Sequence, residues 1–283
     1  MTYYGYFNGI IQPTDQIGVG VTDLGLLRGF GLFDYFLTYN GKPFQWDWYW
    51  ERFRHSAEKM TLTLPLSREE TYAILLDLLR RSGQPGPVRR SGGTADVAFR
   101  LVMTGGYSPD SISIVKPNLL ILSEPIHPVP AEQYEHGIRV ILDEYVRPMP
   151  EVKTTDYRHV MLLSGKIREA GAQDVLYHLH GELSELSRSN LFLVKGNRLI
   201  TPSRHILRGI TRRTVMDLAR PDFQIDERPV LLSDLYDADE AFTTSSNKKV
   251  LPIVRIGDLP VGNGHVGPVA RELLDRFRSF TNS

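Results

Sequence analysis

The stretch EVKTTDYRHVMLLSGK, residues 151–166, decides how this chain is read. Pro148 and Pro150 precede it and interrupt regular structure. A single lysine, Lys153, follows the break ahead of Thr154, Thr155 and Asp156, and a helical apolar pattern begins after them. A lysine taken at random is a solvated surface residue. Rejecting that reading for Lys153 requires support from the rest of the chain.

The composition narrows the choices. The 283 residues suffice for one large or two ordinary domains. With 41% hydrophobic and 23% charged residues, the balance is that of a soluble globular protein. Lys plus Arg and Asp plus Glu each number 33, so the formal net charge is zero. That argues against nucleic acid or a membrane surface as a partner, since either needs a basic excess. There is no cysteine, which excludes disulfides and metal–thiolate centres and leaves Ser, Thr, Lys, Tyr or a carboxylate as a covalent nucleophile. No metal site is expected. MTYYGYFNGI lacks a basic and apolar leader pattern and no apolar run has membrane-spanning length, so a cytoplasmic enzyme is expected.

Strand and helix patterns alternate through both halves. GLFDYFLTY, residues 31–39, reads as a strand that turns at Asn40-Gly41. Asp47 reads as the N-cap of the helix that follows, and Ser67 with Glu70 as a capping box. The three prolines of residues 124–133 suggest a linker. The expected architecture is mixed α/β or α+β in two domains, with a smaller unit over 1–123 and a larger one over 134–283.

Four further features accompany Lys153. Arg52 lies on the helix after the first hairpin. Glu185 stands in SELSRSNLFLV, read as an irregular turn before a strand. Gly209-Ile210-Thr211 opens a helix whose first amides suit an anion. Ser245, Ser246 and Asn247 sit in a polar run that closes a strand. Singly, each is ordinary: a surface arginine, a solvated carboxylate, a hydrated helix start and a plain loop. Their order along the chain carries more weight.

Taken together, GLFDYF, RFRHSAEKM, VKTTDY, SELSRSNLF, ILRGITR and LPIVRIGD resemble the fold-type IV, or class IV, pyridoxal-phosphate aminotransferases over nearly the whole length. Asp34 stands where that pattern usually has Glu. The resemblance implies pyridoxal 5′-phosphate as cofactor, with Lys153 forming the Schiff base to its aldehyde. Glu185 then keeps the pyridine nitrogen protonated. Arg52, Ile210, Thr211, Ser246 and Ser245 or Asn247 hold the phosphate, and Tyr157 stands near the phenolic oxygen. It also implies a homodimer with shared active sites and amino-acid and 2-oxo-acid substrates.

Departures from the familiar patterns bear on the substrate. In the strand ADVAFRLV, Arg100 is present, but Ala98 replaces the tyrosine of branched-chain enzymes, and Ser245-Ser246-Asn247 replaces their Gly-Thr-Ala turn. The arginine–histidine carboxylate trap of common D-amino-acid transaminases is missing after that strand, where MTGGYSPD stands. Arg28 occupies a position, five before Phe33, where an aromatic residue is usual. An arginine on an apolar wall calls for an anion. Arg28, Arg90, Phe33 and Arg100 are therefore the candidate substrate residues, and a D-amino-acid transaminase is the favoured reading. A branched-chain L-amino-acid transaminase, an (R)-amine transaminase and a non-catalytic phosphate-ligand binder are the alternatives. An aminodeoxychorismate lyase lacks its arginine- and glycine-rich motif here.

Overall fold

A computed structural model describes residues 2–82 and 96–282. The chain divides into two compact units, residues 1–127 with 152–156, and residues 128–151 with 157–283.

In the first unit, β1 (Tyr4–Phe7), β2 (Ile10–Pro13), β3 (Gly31–Tyr39), β4 (Lys42–Pro43), β5 (Ala98–Thr104) and β6 (Asn118–Glu124) form one sheet in the order β2-β1-β6-β5-β3-β4. Asn40 and Gly41 both have positive φ, 53° and 75°, as the tight β3–β4 turn requires. Helices α1 (Leu24–Arg28), α2 (Trp46–Lys59) and α3 (Arg68–Ser82) complete this unit. The apolar face of α2 buries Tyr49, Trp50 and Phe53, and Phe36 of β3 packs 4.9 Å from Tyr49, ring centre to ring centre. The capping box of α3 forms: Ser67 N donates to Glu70 Oε2 and Glu70 N to Ser67 Oγ. At α2 the expectation fails. Gln45, in left-handed conformation, is the N-cap, and Asp47 lies in the first turn, where its carboxylate accepts from Arg68 Nε.

The second unit runs α4 (Ala131–His136), β7 (Ile138–Glu144), α5 (Arg158–Leu162), α6 (Ser164–Glu169), β8 (Asp174–Leu179), β9 (Glu182–Leu186), β10 (Ser189–Lys195), β11 (Arg198–Pro202), α7 (Ile210–Ala219), β12 (Gln224–Arg228), β13 (Val230–Leu231), α8 (Asp234–Asp237), β14 (Glu240–Ser245), β15 (Lys249–Ile256), β16 (Leu259–Pro260) and α9 (Pro268–Asn282). The strands order as β12-β11-β10-β14-β15-β7-β8-β9-β13, and β9 also pairs with β10. That extra pairing closes six strands, β10, β14, β15, β7, β8 and β9, into a ring. Closure leaves those strands without a free edge. Ile138, Val140, Leu176, Leu186, Leu191 and Leu251 contribute to a core cluster of this unit.

A division at the proline-rich segment would put residues 152–156 in the second unit, yet they belong to the first. Backbone pairing explains it. Phe33 N donates to the Lys153 carbonyl at 2.9 Å, Thr155 N donates to the Gly31 carbonyl at 2.9 Å, and Leu32 bridges Thr154. Residues 124–133 are also not wholly linker, because β6 ends at Glu124 and α4 begins at Ala131. Among the described residues, no helix is long and apolar enough to cross a membrane.

Candidate active site

Lys153 lies on a short extended segment held against β3. Its neighbour Val152 is fully buried and pins the backbone, while Lys153 is half-buried. The Nζ lies 4.6 Å from the ring centre of Phe33, so the amine rests on an aromatic face. The expected helix divides in two, α5 and α6, with Leu163 between them. Tyr157, half-buried, is the residue before α5.

Arg52 projects from α2 toward β3. Its Nε donates to Asp34 Oδ2 at 2.9 Å and its Nη2 to Asp34 Oδ1 at 2.6 Å. Asp34 is 1% exposed, and the Arg52 guanidinium also lies 5.1 Å from the Tyr49 ring centre. A bidentate pair of this kind fixes the guanidinium plane.

In the second unit Glu185 is not on an irregular turn. It is the fourth residue of β9, opposite Asn190 of β10, which in turn is opposite Thr244 of β14. Directly opposed residues of antiparallel strands share a face. Glu185, Asn190 and Thr244 therefore form one row across three strands, and all three are buried. The strand Glu-Leu-Ser-Glu-Leu is concealed because only Leu183 and Leu186 in it are apolar.

Two donors fix the Glu185 carboxylate. Arg147 Nε donates to Oε1 at 2.7 Å and the Leu207 amide to Oε2 at 2.9 Å. Arg147 is itself positioned by the Pro150 carbonyl, which accepts from its Nη2. Asn190 Nδ2 donates to the Leu207 carbonyl at 2.8 Å, so Leu207 is gripped at both backbone groups. Gly209 follows two residues later as the N-cap of α7, and a Cβ there would meet Asn190 Oδ1 at 2.1 Å. A side chain there would press on the Asn190 amide that holds Leu207. The N-cap Gly209 has no side chain with which to cap the helix that Ile210 and Thr211 begin. The Thr244 Oγ1 is buried with no hydrogen-bond partner.

Ser245, Ser246 and Asn247 follow at the turn between β14 and β15, each half-buried. Ser245 Oγ accepts from the Lys248 amide, which tightens the turn.

The substrate candidates are placed differently. Arg28, the last residue of α1, is exposed, and its Nε and Nη1 donate to the carbonyls of Ser111 and Leu27. Arg100 sits over Phe33 and Tyr35 and forms a bidentate pair with Glu124, Nε to Oε1 at 2.5 Å and Nη2 to Oε2 at 2.9 Å. Burial pushes the Tyr35 phenol up, Glu124 adds to the rise and Arg100 opposes it. Arg90 lies outside the described residues. Arg147 escaped the sequence reading. Its only signal is its place in RPMP, ahead of Lys153.

Comparison with known proteins gives one family. The amino-transferase class IV model matches residues 31–256, well over half the chain. A putative branched-chain-amino-acid aminotransferase of Methanocaldococcus jannaschii is 30% identical over 97% of this chain and 95% of its own length. A D-alanine aminotransferase of Staphylococcus haemolyticus is 26% identical over 98% of each chain. Among solved structures, the branched-chain amino acid aminotransferase of Escherichia coli superposes with a TM-score of 0.89, at 23% identity, over 99% of this chain and 95% of that one. At that identity it shows the shared fold.

Proposed function

This chain belongs to the class IV aminotransferases, whose cofactor is pyridoxal 5′-phosphate, and we propose that it moves the amino group of a D-amino acid to a 2-oxo acid such as 2-oxoglutarate or pyruvate. The residues present fit the cofactor. The N-cap of α7 is a glycine with no capping side chain, and among the described residues the buried Thr244 hydroxyl on the neighbouring strand has no partner. A helix start of this kind receives an anion through its amides. The buried, doubly supported Glu185 carboxylate is a fixed anion suited to a protonated ring nitrogen.

In this reading Ile210, Thr211, Ser245, Ser246 and Asn247 bind the phosphate, together with an Arg52 guanidinium oriented by Asp34. Tyr157 stands by the phenolic oxygen and Glu185 holds a proton at the ring nitrogen. When bound, the cofactor supplies an electron sink for charge developing at the substrate Cα. The Lys153 amine would hold the cofactor and, as a free amine, would take the proton from the substrate Cα.

The observation that carries the D-specific reading is the contrast between two arginines. Arg100 is neutralised by Glu124, whereas Arg28 donates only to backbone carbonyls among the described residues. The charge of Arg28 remains available to a substrate α-carboxylate, with Arg90 as a second guanidinium. Proton transfer in this family uses one cofactor face, so the side on which the carboxylate is held sets the accepted enantiomer. A homodimer completes the proposal, with Arg28 serving the partner's site. Exposed Val21, Leu26, Leu27, Ile112 and Val115 on α1 and the segments beside it support such an interface. A cytoplasmic location accords with this reading.

The name of the Methanocaldococcus relative favours a second reading, an L-branched-chain transaminase. Absorbance-monitored half-reactions with D- and L-alanine, glutamate and leucine separate the two. Faster reaction of the D-forms is expected, and faster reaction of the L-forms overturns the proposal. Sedimentation of an active monomer would remove the dimer.

A further inference from the structure

The second unit also holds a buried charge pair outside the proposed binding roles. Asp174, the first residue of β8, is 3% exposed, and Lys248 Nζ donates to its Oδ2 at 2.5 Å. The same Nζ donates to Ser189 Oγ at 3.0 Å, and Ser187 Oγ donates to Asp174 Oδ1. Asp174 Oδ1 also accepts from the Val175 amide. Burial alone would push this carboxyl up. The Lys248 ammonium and the converging hydrogen bonds outweigh that and hold it below the usual carboxylate range.

The partners belong to two separate turns. Ser187 is in the two-residue turn joining β9 to β10, one residue beyond the strand that carries Glu185, and Ser189 starts β10. Lys248 ends the turn that carries Ser246 and Asn247. That turn is gripped elsewhere too: Tyr134 donates to the Lys248 carbonyl, and Lys249 adopts a left-handed φ of 55°. A buried ion pair contributes little net stability against its desolvation cost, but it can specify one geometry.

We propose that the Asp174–Lys248 pair is a positioning clamp that locks the β14–β15 turn to the β9–β10 turn and thereby shapes the phosphate-receiving turn at Ser246 and Asn247. The inference rests on the cofactor contacts proposed above and adds the residues that set their geometry. Neither Asp174 nor Lys248 needs to touch the cofactor for this.

The test titrates cofactor-stripped full-length protein with pyridoxal 5′-phosphate and, in parallel, with pyridoxal, which lacks the phosphate. Lys248→Met and the double variant D174N/K248M are compared with the wild type. The double variant leaves no uncompensated buried charge, which keeps the test usable if the single variant misfolds. The expected result is an affinity for pyridoxal phosphate weakened about ten- to a hundredfold, with pyridoxal affinity unchanged. Equal weakening toward both ligands, accompanied by a fall in Tm, marks a general structural role and overturns the clamp. Unchanged affinity for pyridoxal phosphate in a folded variant overturns it as well. A wild type that binds pyridoxal as tightly as pyridoxal phosphate instead overturns the proposed phosphate contacts, and the clamp falls with them.

Discussion

Glu185 and Arg28 show two ways of presenting a charge. Glu185 lies on β9, one strand of the closed ring, is 4% exposed, and both its carboxylate oxygens accept hydrogen bonds. Its supports are supported in turn, Arg147 by Pro150 and Leu207 by Asn190. Arg28 ends a five-residue helix at the surface and is steadied by two carbonyls, one of them in a loop. A site wired into strands has one geometry, whereas a site on a short exposed helix can be retuned by few substitutions. The contrast accords with the proposed division, in which cofactor contacts lie on the sheet and substrate choice at the periphery.

The largest effect that would test this contrast is expected at Lys153. Lys153→Ala should lower turnover by roughly 10⁴-fold, the upper range for one positioned acid–base group. Borohydride reduction of the wild type followed by peptide mapping should label the peptide containing Lys153. A label on Lys166 or Lys195 breaks the assignment.

Glu185→Gln comes next. Two donors, Arg147 Nε and Leu207 N, point at the carboxylate, and glutamine offers a single acceptor oxygen. The variant should still bind cofactor but slow Cα proton removal about 10²- to 10³-fold, measured by deuterium exchange at the substrate Cα. Unchanged exchange would show that the wiring around Glu185 serves packing alone.

These residues also mark what the sequence disclosed. The Asn40-Gly41 turn was legible from its dipeptide and the α3 cap from Ser67 and Glu70. Strand β9 was not legible, because polar residues face a polar network and erase the hydrophobic alternation. The return of residues 152–156 to the first unit was hidden as well, since backbone hydrogen bonds to β3 leave no side-chain pattern. The Asp174–Lys248 pair joins residues 74 positions apart, and nothing local announces it.

Arg28→Ala sharpens the peripheral half of the comparison. A charge-assisted hydrogen bond to a carboxylate contributes roughly 1.5–3 kcal/mol, so kcat/KM for the preferred D-amino acid should fall about ten- to a hundredfold. Cofactor affinity should hold, since among the described residues Arg28 is anchored only to Leu27 and Ser111. Equal losses in both quantities would erase the distinction between the two regions.

The smallest effect is expected one step behind Arg28. The Ser111 carbonyl accepts from Arg28 Nε, and Ser111 is held at a left-handed φ of 63°. That conformation is unfavourable for serine and needs support. Asp110 supplies it, because its carboxylate accepts from Ser108 Oγ, the Ile112 and Ser113 amides, and Ser113 Oγ. These bonds, led by the Ser113 hydroxyl, hold the Asp110 carboxyl well below its ordinary value of 3.8. A depressed folded pKa means the support is present above that ordinary value and is lost only as pH falls through the lower folded one. The loop should therefore contribute no change in activity between pH 5 and 8, a range chosen to lie above about pH 4. Asp110→Ala removes the support at every pH and lets Ser111 relax. The expected loss is roughly two- to threefold in kcat/KM for the D-amino acid, as for other exposed sites, with no change in cofactor affinity. It should vanish in the Arg28→Ala background, because the loop then has no guanidinium to steady. Additive losses in the double variant would show that Asp110 acts independently of Arg28.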